Sequence, residues 1–359
     1  MGSNRFLYLP GKYSYGSGDG YYFGTNVNNK KPGAWEASQS NPDAKWETAV
    51  KQNYGIDFNI LNERLSVSAD YFIEKRRDIL VSPDYLPGIL GMTLPVVNVG
   101  KTENRGFEIQ AKWNDKLNDD FRYWANFNLS FARNKIIFKN EVAQNEEWMY
   151  ETGRRIGSRS MYKFWGFYDE TADKRYQTEY GRPIADHGMT LAPGDAVFVD
   201  LNGDGVLNGD DATRDIGFTD IPEYTAGLNL GFSWKNFDLS MMWQGTIGND
   251  VYDATRPIDI ANANLPSWML NRWTGEGTSD KYPRFAWGDN TNWLSSDLYV
   301  YDGSYLRLKN IQLGYTLPKN WTRKAFVSSL RVYVAAENLL TFTKYHGYDP
   351  EISSAVYSV

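Results

Sequence analysis

The chain has 359 residues, with 25 tyrosines, 18 phenylalanines and 13 tryptophans, yet its mean hydropathy is −0.56. Its formal charge is −6, and it lacks the concentrated Lys and Arg that nucleic-acid binding requires, so nucleic acid is excluded as a partner. The absence of cysteine excludes disulfides and thiol chemistry.

The length suits either two ordinary domains or one large all-β domain, and the high aromatic content favours the second. No stretch approaches the roughly 18 consecutive apolar residues of a membrane-spanning helix. The first 20 residues also lack the apolar core of a signal peptide.

The first clear strand is predicted at 50–60, VKQNYGIDFNI, where every second side chain is apolar except Gln52. Comparable alternation recurs in 65–73, 106–113, 121–132, 224–234, 237–244, 310–317 and, more loosely, 330–338. Several of these segments exceed the usual strand length of about five or six residues in globular proteins. They fit the roughly 9–11 residues that a tilted strand needs to cross a bilayer.

A soluble β-sandwich or propeller would also contain alternating strands. Two further features favour a membrane protein. The polar faces are rich in Asn, Gly, Ser, Thr and Gln, which suits a hydrated lumen, and aromatic residues recur near the strand ends, as in the girdles of membrane barrels. The girdle candidates are Trp46, Trp113, Trp234 and Tyr315.

Short and long connections alternate along the chain. Tight links, such as the two residues between 234 and 237, join the strands in pairs, and long segments separate the pairs. Outer-membrane barrels have short periplasmic turns and long extracellular loops. We therefore predict that these segments lie outside the cell: 26–45, 77–103, 137–222, 249–303 and the tail from 341.

The longest connection contains DLNGDGVLNGDD at 200–211, which has the oxygen spacing of a calcium-binding loop. Ca²⁺ takes six to eight oxygens, and a glycine at position 6, here Gly205, allows the chain to turn around the ion. The predicted ligands are Asp200, Asn202, Asp204, Val206 (through its carbonyl), Asn208 and Asp211. The alternative is an Asp-, Asn- and Gly-rich turn without an ion.

If calcium binds, we expect it to act as a structural clip on an extracellular loop. No helical periodicity flanks the segment, so the opening movement of a sensor EF-hand is not expected. One ion can instead offset the entropy lost in ordering a long loop.

The connection 249–303 concentrates tryptophans among Asp, Asn and Ser residues. Aromatic faces stack on the C–H faces of sugars, and amides and carboxylates bind hydroxyl groups, so the segment is a candidate substrate-binding surface. The candidates are Trp268, Trp273, Trp287 and Trp293. The alternative is that these rings fill a small core of the loop or lie at the lipid boundary.

Catalytic motifs are not evident. The two histidines, His187 and His346, show no zinc-site spacing, and no pair of carboxylates stands out as a glycosidase pair. The G-x-G at Gly18 and Gly20 has no βαβ pattern after it. We predict that the chain is not an enzyme.

Five stretches occur in order along most of the chain: NVGKTENRGFEIQAKW (98–113), PGDAVFVDLNGDGVLNGDD (193–211), YTAGLNLGFSWKNFDLSMMWQGTIGNDVY (224–252), SYLRLKNIQLGYTLP (304–318) and AAENLLTFTKYHGYDPEI (335–352). Together they resemble the C-terminal barrel half of SusC/RagA-like TonB-dependent transporters. The resemblance runs from about Asn41 to Ile352.

The resemblance implies an all-β fold, an antiparallel transmembrane β-barrel of 22 strands with long extracellular loops. About eight to ten of these strands would come from this chain, ten if residues 1–25 supply two. It also implies import of glycans or peptides through the outer membrane of a Gram-negative bacterium, in contact with membrane lipid. The expected partners are a SusD-like surface lipoprotein and TonB, which acts through the N-terminal region.

The sequence shows neither a plug domain nor a TonB-contacting segment, and its end, ISSAVYSV, lacks the final alternating strand of such barrels. Residues 1–359 are therefore predicted to be a C-terminal barrel fragment, which alone should not transport, because unpaired strand edges are not tolerated in lipid. A second hypothesis is a secreted, calcium-binding, β-rich module that binds glycans in water.

Overall fold

A computed structural model describes residues 7–9, 12–25, 30–83, 94–254, 267–286 and 291–351. The strands in these ranges are β1 (Lys12–Tyr22), β2 (Lys30–Ser38), β3 (Thr48–Ile60), β4 (Leu65–Val81), β5 (Val97–Asn118), β6 (Phe121–Phe138), β7 (Phe164–Phe167), β8 (Ala196–Phe198), β9 (Tyr224–Trp234), β10 (Phe237–Ile247), β11 (Asp250–Tyr252), β12 (Val300–Asp302), β13 (Tyr305–Thr316) and β14 (Arg331–Thr343). The α-helices are α1 (Ala172–Tyr180) and α2 (Lys319–Thr322).

The main structure is an antiparallel sheet of eight strands in the order β14-β13-β10-β9-β6-β5-β4-β3. Each of the eight segments with alternating side chains forms one of these strands, which confirms the predicted all-β antiparallel fold. Within the described residues, β3 and β14 each have one neighbour in this sheet, so the sheet is open, as expected for part of a barrel.

Helical structure is sparse and confined to the connections. In the part of the chain that the structure describes, no helix has the length and apolar character needed to cross a membrane.

The register places two aromatic rows on the apolar face of the sheet. The row towards the long connections, here called the upper row, consists of directly opposed residues of five strands: Tyr54, Tyr71, Phe107, Phe131 and Tyr224. Its rings are in contact, since the ring centroids of Phe107 and Phe131 are 5.4 Å apart and those of Phe131 and Tyr224 are 4.8 Å apart.

The second aromatic row, the lower row, lies beside the short turns. It consists of Phe121, Trp234, Phe237 and Tyr315, again directly opposed. Between the two rows the same face carries aliphatic side chains, such as Leu129 and Leu230, and further rings, such as Phe127 and Phe232. This is the arrangement of a lipid-facing surface with interfacial aromatic residues, and two predicted girdle residues, Trp234 and Tyr315, belong to it.

The opposite face is polar, and its large rings lie over glycines of the neighbouring strand. Phe72 lies over Gly106, where an added Cβ would be 2.6 Å from the ring. Trp124 lies over Gly231, where the corresponding distance is 2.4 Å. A larger residue at Gly231 would displace the ring, and at Gly106 the added Cβ would also lie 2.0 Å from the backbone carbonyl oxygen of Phe131. Both glycines are therefore required for close packing on the wall.

Three central strands are longer than the sequence pattern predicted. The connection predicted at 77–103 contains the end of β4 and the start of β5, so the link between the strands is 82–96. Bulges interrupt the pairing after Arg76 and after Lys101. A bulge shifts the period-2 pattern of the side chains. The alternation in the sequence is therefore lost at the bulge, although the strand continues beyond it.

The N-terminal region does not contribute two strands to the wall. Of the described residues, β1 lies within the first 25 positions, and it pairs with β2, which falls in the segment predicted as the loop 26–45. These two strands form a sheet of their own. The eight strands of the main sheet fall within the predicted eight to ten. The condition for ten, two wall strands from residues 1–25, is not met in the described chain, because β1 pairs with β2 instead of with the main sheet.

Candidate functional site

The two longest connections, 139–222 and 249–303, pack together into one unit, here called the loop body. The first connection supplies Met161, Phe167, Ala196, Phe198 and Phe218 to its core. The second supplies Tyr252, Met269, Trp293, Leu298 and Tyr299. All ten side chains are buried, so the two loops have a common hydrophobic core.

A buried ionic contact also joins the two connections. Asp195, which is fully buried, accepts two hydrogen bonds from the Arg284 guanidinium, at 2.5 Å from Nε and 3.1 Å from Nη2. Asn292 donates to the same carboxylate at 3.0 Å, and its carbonyl oxygen accepts from the N–H of Ala196 at 2.6 Å. The paired donors compensate for the cost of burying a charge.

The two connections also meet beside the wall. Asp250, the first residue of β11, donates its backbone N–H to the carbonyl of Thr219 at 2.6 Å. Its carboxylate accepts from the N–H of Thr219 at 3.0 Å. The loop body is therefore held together near its attachment to the wall as well as in its core.

The predicted calcium loop lies within the loop body, and two of its carboxylates are fully buried. Asp200 accepts from the N–H groups of Gly203 and Gly205, both of which have a positive φ. Asp211 accepts from the N–H of Asn208 at 2.9 Å. Burial, together with the nearby negative charge of Asp200, raises the pKa of the Asp211 carboxyl above its ordinary value.

The outer part of the same loop is held by short-range hydrogen bonds. Asp204 accepts from the N–H of Val206 at 2.8 Å and from the Asn202 amide at 3.0 Å, and these bonds lower the pKa of its carboxyl. Asn208 accepts from the N–H of Asp210 at 2.7 Å. The side-chain oxygens of five predicted ligands, Asp200, Asn202, Asp204, Asn208 and Asp211, already accept backbone N–H groups of the loop.

Across the described chain, no three Asp, Glu, His or Cys side chains form a group that could hold a metal ion. The predicted ligand set differs from such a group, because it also includes the side-chain oxygens of Asn202 and Asn208 and the backbone carbonyl of Val206. Calcium at this loop therefore stays a prediction.

Arg182, which sequence reasoning missed, lies beside the calcium loop. It donates to the backbone carbonyl of Asp200, and its Nε lies 3.8 Å from the Asp200 carboxylate. Gly203 has a φ of 81°, which favours glycine, and a Cβ there would also lie 2.2 Å from the guanidinium, so a larger residue would move Arg182. Arg182 is 18 residues from Asp200 and follows α1, a separation at which no local spacing rule indicates a contact.

The three described tryptophans of 249–303, Trp268, Trp273 and Trp293, pack against other rings or against a glycine. Trp293 is 5% exposed and stacks on Tyr299, with ring centroids 5.7 Å apart. Trp268 stacks on Tyr282 at 4.7 Å. This packing favours a role in the loop body, especially for Trp293, whose ring offers little surface to a sugar.

Of the other two candidate tryptophans, Trp273 packs against Gly194. Gly194 has a positive φ and no side chain, and a Cβ there would lie 2.3 Å from the ring. Trp287 lies outside the described residues.

A cavity of about 890 Å³ lies between the polar face of the wall and the start of the first long connection. Thr102, Asn104 and Asn134 of the polar face contribute to its lining, and Ile156 and Ile221 contribute from the connection. The cavity combines hydrogen-bonding groups with an apolar side, which is the usual character of a binding site for a small solute.

His187 is buried in the loop body, and both of its ring nitrogens have partners. Nδ1 lies 2.8 Å from the carbonyl of Ala185, and Nε2 accepts from the N–H of Phe198 at 3.2 Å. These bonds define a neutral ring that carries its proton on Nδ1. Burial lowers the pKa of His187 below its ordinary value.

We expect the loop body to lose stability in acid because of His187. The folded pKa is lower than the unfolded pKa of about 6.5, so the contribution is present above about pH 6.5 and is lost as the pH falls through the folded pKa. Protonation would also remove the acceptor of the Phe198 N–H. Hydrogen exchange of the loop body at about pH 7.5 and about pH 5.5 measures this loss. If a His187→Gln variant lost as much protection between these two pH values as the wild type, the loss would not come from His187.

The sheet is open and antiparallel, with one apolar, lipid-facing side, one polar side and long loops. These features agree with the result of a comparison with known protein families. A model of the TonB dependent receptor-like β-barrel family matches residues 11–339. The chain belongs to this family.

Two curated relatives show how much of a receptor the chain represents. TonB-dependent receptor P3 of Formosa agariphila is 32% identical over 329 residues, which cover 87% of this chain and 31% of the receptor. TonB-dependent receptor SusC of Bacteroides thetaiotaomicron is 26% identical over 373 residues, which cover 98% of this chain and 34% of SusC. The chain therefore spans about a third of the length of these relatives.

A solved structure shares the fold. The RagAB peptide importer in its open-open state aligns with a TM-score of 0.70 at 24% identity, covering 95% of this chain and 35% of that chain. The predicted resemblance to SusC/RagA-like TonB-dependent receptors is thus confirmed, as is the fold class of a partial β-barrel.

Membership of the TonB-dependent receptor family has two direct consequences. These receptors are β-barrel proteins of the outer membrane, which does not support the secreted soluble module considered from the sequence. They are transporters and not enzymes, which confirms the prediction that the chain is not an enzyme.

Proposed function

We propose that the chain forms part of the wall and the extracellular loops of an importer that takes oligosaccharides or peptides through the outer membrane of a Gram-negative bacterium. The observation that carries this proposal is the loop body, which folds as one unit at one end of a transmembrane-type sheet. A rigid body at the mouth of a barrel provides a surface that can bind a large solute before it enters.

The two aromatic rows support the orientation in this proposal. The short turns follow the lower row, and the long connections extend beyond the upper row. In barrels of this kind the long loops face outside. The segments 82–96, 139–222 and 249–303 would then be extracellular, and the cavity of about 890 Å³ would lie on the inner wall below the loop body.

The partners follow from the same proposal. A receptor that contains this chain would act with a SusD-like lipoprotein at its outer surface, and TonB would supply energy through a plug and an N-terminal segment. The relatives SusC and RagAB support this choice, since one is named a TonB-dependent receptor and the other a peptide importer.

The test of import uses the full-length receptor in its own cells. Deletion of its gene should abolish uptake of either fluorescent oligosaccharides or fluorescent peptides, and re-expression should restore the uptake. Removal of TonB should have the same effect as the deletion. Uptake of both solute classes that continues at the wild-type rate without the receptor would contradict the proposal.

We also propose that the loop at 200–211 binds Ca²⁺ as a clip within the loop body. Carboxylate, amide and backbone oxygens are the ligands that this ion prefers, and the sequence supplies them within 12 consecutive residues here. Asp200 and Asp211 are both fully buried, and burial, together with the charge of Asp200, raises the pKa of Asp211. A bound cation would reduce the repulsion between these two charges.

Added Ca²⁺ should stabilise the loop body of the full-length receptor by about 2–3 kcal/mol at a concentration one hundred times the dissociation constant. Asp204→Ala should weaken binding by about tenfold or more, since Asp204 is an exposed ligand whose loss disturbs the fold little. Hydrogen exchange measures the stabilisation, and calorimetric titration measures the dissociation constant. Asp173→Ala, in α1, is the matched control. The clip is excluded if the wild type shows no binding of Ca²⁺ by calorimetry and no change in hydrogen exchange when Ca²⁺ is added.

A further inference from the structure

Exposed cations continue the apolar face beyond the upper row. Arg105 and Arg133 are the next residues on this face, and they stand directly opposite each other on β5 and β6. One position further out, Lys75, Glu103 and Lys135 stand side by side across three strands. We refer to Lys75, Arg105, Arg133 and Lys135 as the rim patch.

Ring contacts show that the rim patch belongs to the lipid-facing side of the sheet. The Arg133 guanidinium lies 5.8 Å from the centroid of the Phe131 ring, and Phe131 stacks on Phe107 in the upper row. The rim patch therefore adjoins the aromatic row where a lipid head group would lie.

The carboxylates near the rim patch do not balance its charge. Glu223 accepts two hydrogen bonds from Arg133, at 2.7 and 2.9 Å, but it is also paired with Arg155. Glu103 lies 3.7 Å from Lys75. Among the residues that the structure describes, Arg105 and Lys135 have no ion pair within 4.0 Å.

The opposed pair Arg105 and Arg133 requires a physical explanation. Like charges that stand directly opposite on neighbouring strands destabilise a sheet. Glu223 offsets this cost at Arg133, because its carboxylate already occupies Nε and Nη2 of that guanidinium. The guanidinium of Arg105 is therefore the one placed to bind a phosphate through two parallel hydrogen bonds.

We propose that the rim patch binds phosphate-bearing lipid head groups of the leaflet that faces the long connections. Its position next to the upper aromatic row places the cations within reach of a head group, whereas a solute that passes through the lumen meets the opposite face. The inference rests on the membrane placement given above, but it concerns a lipid site and not the imported solute.

The test measures lipid retention by the full-length receptor. Native mass spectrometry would follow receptors released from phosphatidylcholine nanodiscs that contain lipid A, which carries phosphate groups. The double variant Arg105→Gln/Lys135→Gln should retain about tenfold less lipid A than the wild type. Arg105→Lys, which keeps the charge, should retain most of it.

The matched control is Lys112→Gln. Lys112 is an exposed cation of β5 on the polar face, so its replacement removes the same charge from the same strand on the opposite side. It should leave lipid A retention unchanged. If the double variant does not fold, as judged by thermal unfolding, Lys135→Gln alone serves for the comparison.

Four results would overturn the proposal. The first is equal retention of lipid A by the double variant and the wild type, and the second is an equal loss in Lys112→Gln. The third is displacement of bound lipid A by millimolar inorganic phosphate, which would indicate an ion site and not a lipid site. The fourth, in nanodiscs that also contain phosphatidylglycerol, is selective retention of this lipid over lipid A, which would overturn the choice of leaflet. None of these readouts depends on solute uptake.

Discussion

Replacing Asp195 with alanine is expected to loosen the contact between the two long connections. The change leaves Arg284 and Asn292 without their shared carboxylate. We expect the free energy of local opening of the loop body to fall by about 2–3 kcal/mol, somewhat less than for a fully buried pair because Arg284 is partly exposed. Hydrogen exchange of both connections in the full-length receptor measures this value.

Two further variants make the Asp195 experiment specific. Asp195→Asn keeps the size of the side chain and one acceptor oxygen, so its effect should be smaller than that of alanine. Glu170→Ala removes an exposed carboxylate from the same connection and should have no effect. If Asp195→Ala left the protection of residues 267–286 unchanged, the two connections would not be coupled through this contact.

Replacing Phe198 with alanine is expected to have a larger effect on the loop body. Phe198 is fully buried, and its ring packs near Tyr162, Phe164 and His187. Removing a buried ring from a packed core costs about 3–5 kcal/mol, because contacts are lost and a cavity remains. Exchange should then accelerate throughout the loop body, while the eight wall strands keep their protection.

The control for Phe198 is Leu270→Ala, because Leu270 lies beside the core residue Met269 but is 78% exposed. Its replacement should change the opening free energy by less than about 0.5 kcal/mol. Equal effects of the two substitutions would show that the core described here does not hold the loop body together.

The sequence alone predicted the wall well because each wall strand separates two different environments. Lipid on one side and water on the other impose a strict alternation, and this pattern identified all eight strands. It was lost where a bulge shifted the period, as after Arg76, and for that reason the ends of β4 and β5 were missed. Pairing of β1 with β2 was missed because alternation does not reveal a strand's partner.

In the candidate site as well, the sequence indicated local features but not contacts between residues that are distant along the chain. The loop at 200–211 could be predicted as a calcium site because its oxygens lie within 12 residues and follow a spacing rule, and it stays a prediction. The contact of Asp195 with Arg284 joins residues 89 positions apart, and no periodic pattern marks it. The role of Trp293 could not be chosen from the sequence, since a ring in a core and a ring on a binding surface have the same local signature.

The rings over glycines on the polar face have a consequence for the width of the passage. A ring that lies flat over a residue without a side chain adds little radial height to the wall, so Phe72 and Trp124 stay close to the backbone at Gly106 and Gly231. A methyl group at Gly231 would lie 2.4 Å from the Trp124 ring and would push the ring away from the wall, so the polar face would be thicker there. At Gly106 it would also meet the backbone carbonyl oxygen of Phe131 at 2.0 Å, so the pairing of β5 with β6 would be strained as well.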